Sequence, residues 1–406
     1  MNTNWKKNIA LFLTAQTLTL FGSSLVQYAI MWHITLETQS GTMMMFSIIC
    51  GFLPTFFLSP FAGVWADRYN RKLLIIISDT VIAFSTLVLA LLFLAGFREW
   101  WLLFVIIAIR ALGTAVHVPA VGAIIPQIVP KEKLTRINAI NGSIQSLTMI
   151  AAPMLSALLY TVASIEAIFF IDVATAAIGI LTLLFFLNVP THEKALEKQT
   201  TGYFSDLREG IVYIMNHGYL KRFFLYCLFF FFLVAPVAFL TPLQVTRTFG
   251  ADVWRLMVFE ITFATGMILG GAILAAWGGF KNKIHTMTLS SLITGICTLM
   301  LGLAPNFWIY LFFSALAGIA LPLFNTPSTV LLQEKVEQNF LGRVFGIFGM
   351  IMSSMMPIGM LLFGPLADIV KIEWLLIITG LMLFFQSFYL VASKVLIEAG
   401  KPPEKV

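Results

Sequence analysis

The sequence predicts an all-α integral membrane protein, with twelve transmembrane helices in two pseudo-symmetric six-helix bundles and both termini cytoplasmic. Three observations predict it. First, 59% of the 406 residues are hydrophobic and 11% charged, with a mean hydropathy of +0.93; soluble domains carry about 25% charged residues. So few charges cannot cover a water-facing surface of this size. Second, twelve apolar runs each approach the roughly 20 residues a bilayer-crossing helix needs. Third, the basic residues fall on one side of those runs. Soluble enzymes and DNA-binding domains are excluded, so the net charge of +6 speaks for topology and no nucleic-acid partner is expected.

The runs cover approximately residues 9–36, 43–65, 73–96, 101–125, 139–162, 166–188, 221–246, 255–277, 284–303, 307–331, 344–366 and 373–394. In lipid the backbone must satisfy its own hydrogen bonds, so each run reads as a helix. The first follows Lys6 and Lys7, as a signal peptide would. It is too long and has no small-residue cleavage site, so it reads as a retained span. With the N-terminus inside, 20 of the 25 Lys and Arg lie in inside segments and four (Arg98, Arg247, Arg255, Lys371) in outside loops, while Arg110 lies within a span. That asymmetry places both termini in the cytoplasm.

The longest polar stretch, residues 189–220, opens at Pro190 and divides the chain. Residues 1–188 form the first six-helix bundle, and 221–406 the second with a short tail. Within the linker Phe204, Leu207, Ile211 and Ile214 recur at spacings of 3, 4 and 3, which predicts a short amphipathic helix along the inner membrane face. The halves also echo each other. Pro119 precedes Leu134 and Arg136 by 15 and 17 residues, and Pro327 precedes Leu341 and Arg343 by 14 and 16. A six-helix unit used twice is the trace of a transporter built from parallel repeats.

The sharpest local signal follows the second span: Gly63-Val64-Trp65-Ala66-Asp67-Arg68-Tyr69-Asn70-Arg71-Lys72. A glycine, an acid four residues on and then a basic group resemble the signature loop of the major facilitator superfamily. Gly63 would let helices approach closely, Asp67 would face a positive helix end or an arginine, and Arg68, Arg71 and Lys72 would meet anionic lipid headgroups. Asn70 stands where the family has glycine, and asparagine tolerates the left-handed conformation. The resemblance implies a conformational latch between this loop and Leu341-Gly342-Arg343, at the start of the eleventh span. The matching second-half loop, Gly278 to Lys283, has no acid, which makes the latch one-sided.

Charge within the membrane is costly and marks function or pairing. Arg110, Thr114 and His117 share one helix face, and Arg110-Ala111-Leu112-Gly113 looks like a shortened form of the superfamily's fourth-helix arginine motif, associated with proton-coupled members. A structural pair of Arg110 with a carboxylate is the alternative, as is a packed His117. Glu260 in the eighth span is the preferred proton site, whereas Asp79 and Asp172, on spans that usually lie outside the bundle, read as structural and Glu37 as solvated. Gln16, Thr19, Ser23 and Gln27 form a neutral stripe on the first span, and Ser314, Gly318, Asn325 and Thr329 another on the tenth. Both suit the lining of a wet substrate cavity, or interhelical hydrogen bonds. Cys50, Cys227 and Cys297 lie far apart in apolar runs and suggest neither disulfides nor a metal site. There is no G-x-x-x-x-G-K-[ST] phosphate loop and no HExxH pair, which leaves a coupled ion gradient as the energy source, with no cofactor and no enzymatic activity expected.

Over nearly the whole chain the sequence resembles the macrolide-efflux (Mef-type) branch of the drug/proton antiporters. The residues that carry this are Phe52-Leu53-Pro54 with Gly63 to Lys72, Ile109 to Ala120, Ile171-Asp172-Val173, Phe259 to Met267, Gln333-Glu334-Lys335 through Leu341-Gly342-Arg343-Val344-Phe345, and Ser353 through Pro357-Ile358-Gly359. The fifth span departs from the family's glycine-proline antiporter motif and keeps only Ala152-Pro153 with Gly142 upstream. The resemblance implies a monomeric, proton-driven exporter of amphiphilic, cationic drugs such as macrolides in a bacterial cytoplasmic membrane, with protons and lipids as its other partners. Export of an endogenous metabolite, a siderophore or peptide, is the alternative. A non-transporting sensor or scaffold on the same fold is a third reading, which the short inside loops disfavour.

Overall fold

A computed structural model describes residues 5–130, 133–187 and 203–401, with backbone alone at residues 60, 67, 68, 135, 203–206 and 338–339. Residues 188–202 of the expected linker lie outside the described residues. The first half holds α1 (Trp5–Thr38), α2 (Gly41–Arg68), α3 (Arg71–Leu94), α4 (Trp100–Ile128), α5 (Leu134–Val162) and α6 (Ile165–Phe186). The second holds α7 (Tyr203–Asn216), α8 (Gly218–Phe239), α9 (Thr241–Gln244), a π-helical turn (Val245–Phe249), α10 (Val253–Trp277), α11 (Lys283–Leu303), α12 (Phe307–Lys335), α13 (Gln338–Ile369), α14 (Ile372–Ala392) and α15 (Lys394–Ala399). Among the described residues twelve stretches are long and apolar enough to span a membrane, with α8, α9 and the π turn making one of them.

The chain separates into two compact units, Met1–Glu37 with Phe46–Lys198, and Thr38–Met45 with Gln199–Val406. The first turn of α2 therefore belongs to the second unit. Helix starts are fixed locally: Asn70, Ser164, Asn282 and Asn306 each accept a backbone N–H from the first turn of α3, α6, α11 and α12. These are short polar side chains doing what N-caps do. Asn70 has φ −64°, so it serves as an N-cap and not, as expected from the sequence, as a left-handed turn residue.

Small residues set helix spacing, since lipid supplies no hydrophobic drive between helices. In the first unit a Cβ at Gly22 would meet Thr175 Oγ1 at 2.0 Å and Asp172 Cα at 3.2 Å, and one at Gly179 would meet Thr19 at 2.5 Å. α1 and α6 thus touch backbone to backbone. Gly113 does the same for α4 against α3, where a Cβ would meet Ile82 at 2.6 Å and Ser78 O at 3.2 Å. In the second unit Gly266, Gly270 and Gly318 bring α10 onto α12, while Gly295, Gly302 and Gly380 bring α11 onto α14. Gly63 behaves differently from the sequence expectation: among the described residues no atom lies within 4 Å of the place its Cβ would take.

α7 packs on α13, but its buried face is turned from the expected one. Gly210, Tyr213 and Ile214 are buried and Leu207 packs partly, whereas Ile211 is 47% exposed beside Val212 and Met215. The side chain of Phe204 lies outside the described residues. Gly210 explains the rotation, because a Cβ there would strike Ile347 at 2.8 Å and Arg343 Cβ at 3.2 Å. Tyr213 stacks on Phe340 with ring centroids 4.3 Å apart.

Candidate functional site

Two buried polar groups lie in the interior of the first unit. The close approaches at Gly22 and Gly113 put α1, α3, α4 and α6 near enough for short polar side chains to meet. On α4 the Arg110 guanidinium, 4% exposed, reaches Asp172 Oδ2 at 2.6 Å, the Ser23 carbonyl and Oγ at 2.9 Å each, and Thr86 Oγ1. Thr86 Oγ1 in turn donates to Asp172 Oδ2 at 3.1 Å. One guanidinium thus ties together four helices, and its fork suits a carboxylate flanked by hydroxyls. Asp172 is 1% exposed, on a helix whose place in such folds had suggested a peripheral, structural acid; Gly22 lets it turn inward.

The second group lies two helical turns along α4. His117 Nε2 is 3.0 Å from Gln16 Oε1 on α1, and Nδ1 is 2.8 Å from Asp79 Oδ1 on α3. The second contact is an ion-pair distance without the alignment of a directed hydrogen bond. Asp79 is 4% exposed and Gln16 6%. Gln16 and Ser23, read from the sequence as cavity lining, thus serve as partners of His117 and Arg110. The expected face of Arg110, Thr114 and His117 splits: Thr114 is exposed and its hydroxyl donates to Arg110 O of its own helix at 3.0 Å. Gln27 is exposed on α1.

The second unit holds no such charged network at depth among the described residues. Glu260 on α10 is half-buried and forms no hydrogen bond or ion pair among them. On α12 Asn325 Oδ1 and Ser314 Oγ are buried without hydrogen-bond partners among the described residues. Gly318, expected on a polar cavity stripe, instead packs against Phe263 O of α10, 2.3 Å from the place of a Cβ.

The signature loop divides by role. Arg71 donates from Nε to Ala66 O at 3.0 Å and from Nη1 to Ala123 O at 2.9 Å. Lys72 donates to Leu184 O at 3.2 Å and Leu187 O at 2.8 Å. These two side chains, expected to meet lipid headgroups, bond backbone carbonyls in the last turn of α2, in α4 and at the end of α6, and a cation is favoured near a helix's carbonyl end. The side chains of Asp67 and Arg68 lie outside the described residues. Arg343, expected opposite Asp67, pairs with Glu209 of α7 at 3.2 Å and lies over the Phe340 ring. No atom lies within 4 Å of a Cβ position at Gly342 among the described residues.

Sequence reasoning missed Asp368. Its carboxylate accepts from Gly41 N at 2.7 Å, Thr42 N at 2.9 Å and Ser40 Oγ at 2.8 Å, and pairs with Arg247 at 2.9 Å. It caps the amino end of α2, where a negative charge is favoured. Arg247, in the π turn, also bonds Gln39 O and Ala367 O. A signal was present: Gly364-Pro365-Leu366-Ala367-Asp368 repeats the Gly-x-x-Ala-Asp spacing of Gly63 to Asp67.

Twelve stretches long and apolar enough to span a membrane, with ion pairs held at their depth, define a multi-pass membrane protein. The family model of the Major Facilitator Superfamily matches residues 12–284 and 254–405, and the chain belongs to that superfamily. It is 31% identical over 382 residues to macrolide efflux protein A of Streptococcus pyogenes, covering 94% of each chain. It is 33% identical over 323 residues to macrolide efflux protein A of Enterococcus faecalis, covering 79% of this chain and 100% of that one. Among solved structures it superposes on a bacterial homologue of the human lysosomal transporter Spinster (TM-score 0.72, 15% identity, 99% and 100% coverage). It also superposes on a point mutant of the nucleoside transporter NupG (TM-score 0.70, 15% identity, 96% and 99%). The chain is thus a multi-pass cell-membrane protein of this superfamily.

Proposed function

We propose that this chain is a proton-coupled secondary active exporter of amphiphilic drugs, macrolide antibiotics above all, working by alternating access with both termini cytoplasmic. The observation that carries the reading is the identity of 31% and 33% with two macrolide efflux proteins. Proton coupling draws support from Arg110 and His117, each beside a carboxylate within the membrane-spanning helices, and from Glu260 as a third candidate. One charge crossing the membrane gains about 2.3 kcal/mol per 100 mV, enough for about a fortyfold gradient at about 1.4 kcal/mol per decade. In this reading Gln27, Thr114 and Asn325 meet the substrate, while Gln16 and Ser23 act behind them. The latch of Gly63, Asp67, Arg68, Arg71 and Lys72 with Gly342 and Arg343 is part of this proposal.

Accumulation of labelled erythromycin in energised inverted vesicles tests the proposal, with and without an uncoupler, for wild type and Glu260→Gln. The expected result is accumulation that the uncoupler abolishes. Uncoupler-insensitive accumulation would refute proton driving, and an unimpaired Glu260→Gln would move the proton elsewhere. A second reading, export of an endogenous metabolite such as a siderophore or peptide, draws on 22% identity to a staphyloferrin A transporter of Staphylococcus aureus over 88% of this chain and 89% of that one. A knockout that leaves drug accumulation unchanged yet stops secretion of a metabolite would favour it.

A further inference from the structure

His117 has an acceptor on each side of its ring. Nε2 faces Gln16 Oε1 at 3.0 Å and Nδ1 faces Asp79 Oδ1 at 2.8 Å. A neutral imidazole donates from one nitrogen and presents a lone pair at the other. A lone pair turned toward either oxygen would be repelled. A proton on Nε2 serves Gln16, and a second proton on Nδ1 would make the ring an imidazolium cation at ion-pair distance from the Asp79 carboxylate, 2.8 Å away.

The same three side chains also accommodate the other charge state. Gln16 Nε2 is buried and has no hydrogen-bond partner among the described residues. The oxygen and nitrogen of a carboxamide are nearly equal in size, so a half-turn exchanges an acceptor for a donor. After that turn Gln16 Nε2 donates to His117 Nε2, which has lost its proton, while His117 Nδ1 keeps its own and faces Asp79. The N–H bond broken is the one at Nε2, and its proton passes to water, which the ring can reach because the His117 side chain is 14% exposed.

We infer that His117, with Asp79 and Gln16, is the proton-carrying site of this transporter: the ring holds the transported proton, Asp79 is the fixed counter-charge, and Gln16 is a partner to either charge state. This rests on the proton-coupled reading above. The surrounding charges do not compete for the site. Arg110, seven residues earlier on α4, is neutralised by Asp172 of α6, and Glu166, the other acid of α6, pairs with Arg98. α1 carries Lys6, Lys7, His33 and Glu37 toward its ends, α2 carries Asp67 and Arg68 at its last turn, α5 carries Arg136 at its first, and α3 adds Arg71 and Lys72 at its start. Glu260 forms no hydrogen bond or ion pair among the described residues.

The test is nitrogen-15 NMR of the full chain in lipid nanodiscs with labelled histidine, five residues in all, with His117→Asn identifying the signal. On losing its proton the ring is expected to pass from doubly protonated to a single Nδ1–H tautomer. Gln16→Leu is expected to leave the neutral ring as mixed tautomers, an effect that mere packing loss would not produce. If His117→Asn does not fold, the wild-type spectrum still decides, because only this ring responds to Gln16→Leu. In vesicles, His117→Asn and Asp79→Asn are expected to reduce erythromycin accumulation to the level reached with uncoupler while keeping exchange of labelled for unlabelled drug. A ring that holds one proton throughout, or His117→Asn that still accumulates drug in an uncoupler-sensitive way, overturns the assignment alone. Uncoupler-insensitive wild type overturns both the assignment and the functional reading.

Discussion

The Arg110 guanidinium and the Asp172 carboxylate meet at 2.6 Å with side chains 5% and 1% exposed, and each takes a further contact from a hydroxyl, Ser23 and Thr86 respectively. Removing one partner of such a pair strands the other charge, a cost of about 3–5 kcal/mol. Arg110→Gln or Asp172→Asn is expected to lower the unfolding temperature in detergent sharply. The double substitution is expected to cost less than the sum of the two, because neither charge is then left alone. Additive losses would show that the two side chains are not energetically coupled.

Gly22 and Gly63 are expected to respond oppositely to a side chain. A Cβ at Gly22 would sit 2.0 Å from Thr175 Oγ1, so Gly22→Val should force α6 off α1 and destabilise by about 1–3 kcal/mol. Gly63 has open space around it among the described residues. Gly63→Ala should therefore be neutral or stabilising by up to about 1 kcal/mol, the helix-propensity difference between the two residues. Thermal unfolding of the purified variants separates the two.

Asp368 satisfies two backbone donors that begin α2. Asp368→Ala is expected to cost about 1–2 kcal/mol, the upper range of a lost N-cap. Faster hydrogen exchange should be confined to the amides of Gly41 and Thr42 and their neighbours. Asp368→Asn keeps an acceptor and should fall between the variant and wild type. Unchanged exchange at Gly41 and Thr42 would count against the capping role.

Tyr213 joins α7 to α13 by a stacked ring contact and accepts the Glu337 N–H at 3.3 Å. Tyr213→Ala is expected to cost about 3 kcal/mol, as other truncations of buried aromatic rings do. Limited proteolysis should then cut α7 while α13 stays protected. Tyr213→Phe, which keeps the ring, should resist cleavage.

The helices were legible because a membrane permits almost no alternative to them: apolar runs of sufficient length fix spans to within a few residues, as α6 at Ile165–Phe186 against an expected 166–188 illustrates. Arg110 and His117 were legible as well, since charge at membrane depth needs a reason. Their partners were not. Asp79 and Asp172 lie 31 and 62 residues from Arg110 in sequence, and nothing in a periodic pattern says that Gly22 and Gly113 draw their helices inward. The loop at 63–72 misled for a related reason. A basic side chain at a membrane surface looks the same in sequence whether it meets a phosphate or a helix's last carbonyls, and only the positions of Ala123, Leu184 and Leu187 separate the two.

Arg71 and Lys72 are consecutive, yet between them they bond backbone carbonyls of three helices: Ala66 of α2, Ala123 of α4, and Leu184 with Leu187 at the end of α6. Two adjoining cations at the start of α3 thus work as a rivet through the ends of a bundle. These bonds tie the start of α3 to α4 and α6, the helices that carry Arg110, His117 and Asp172. A surface turn of ten residues is in this way mechanically wired to the charges in the interior.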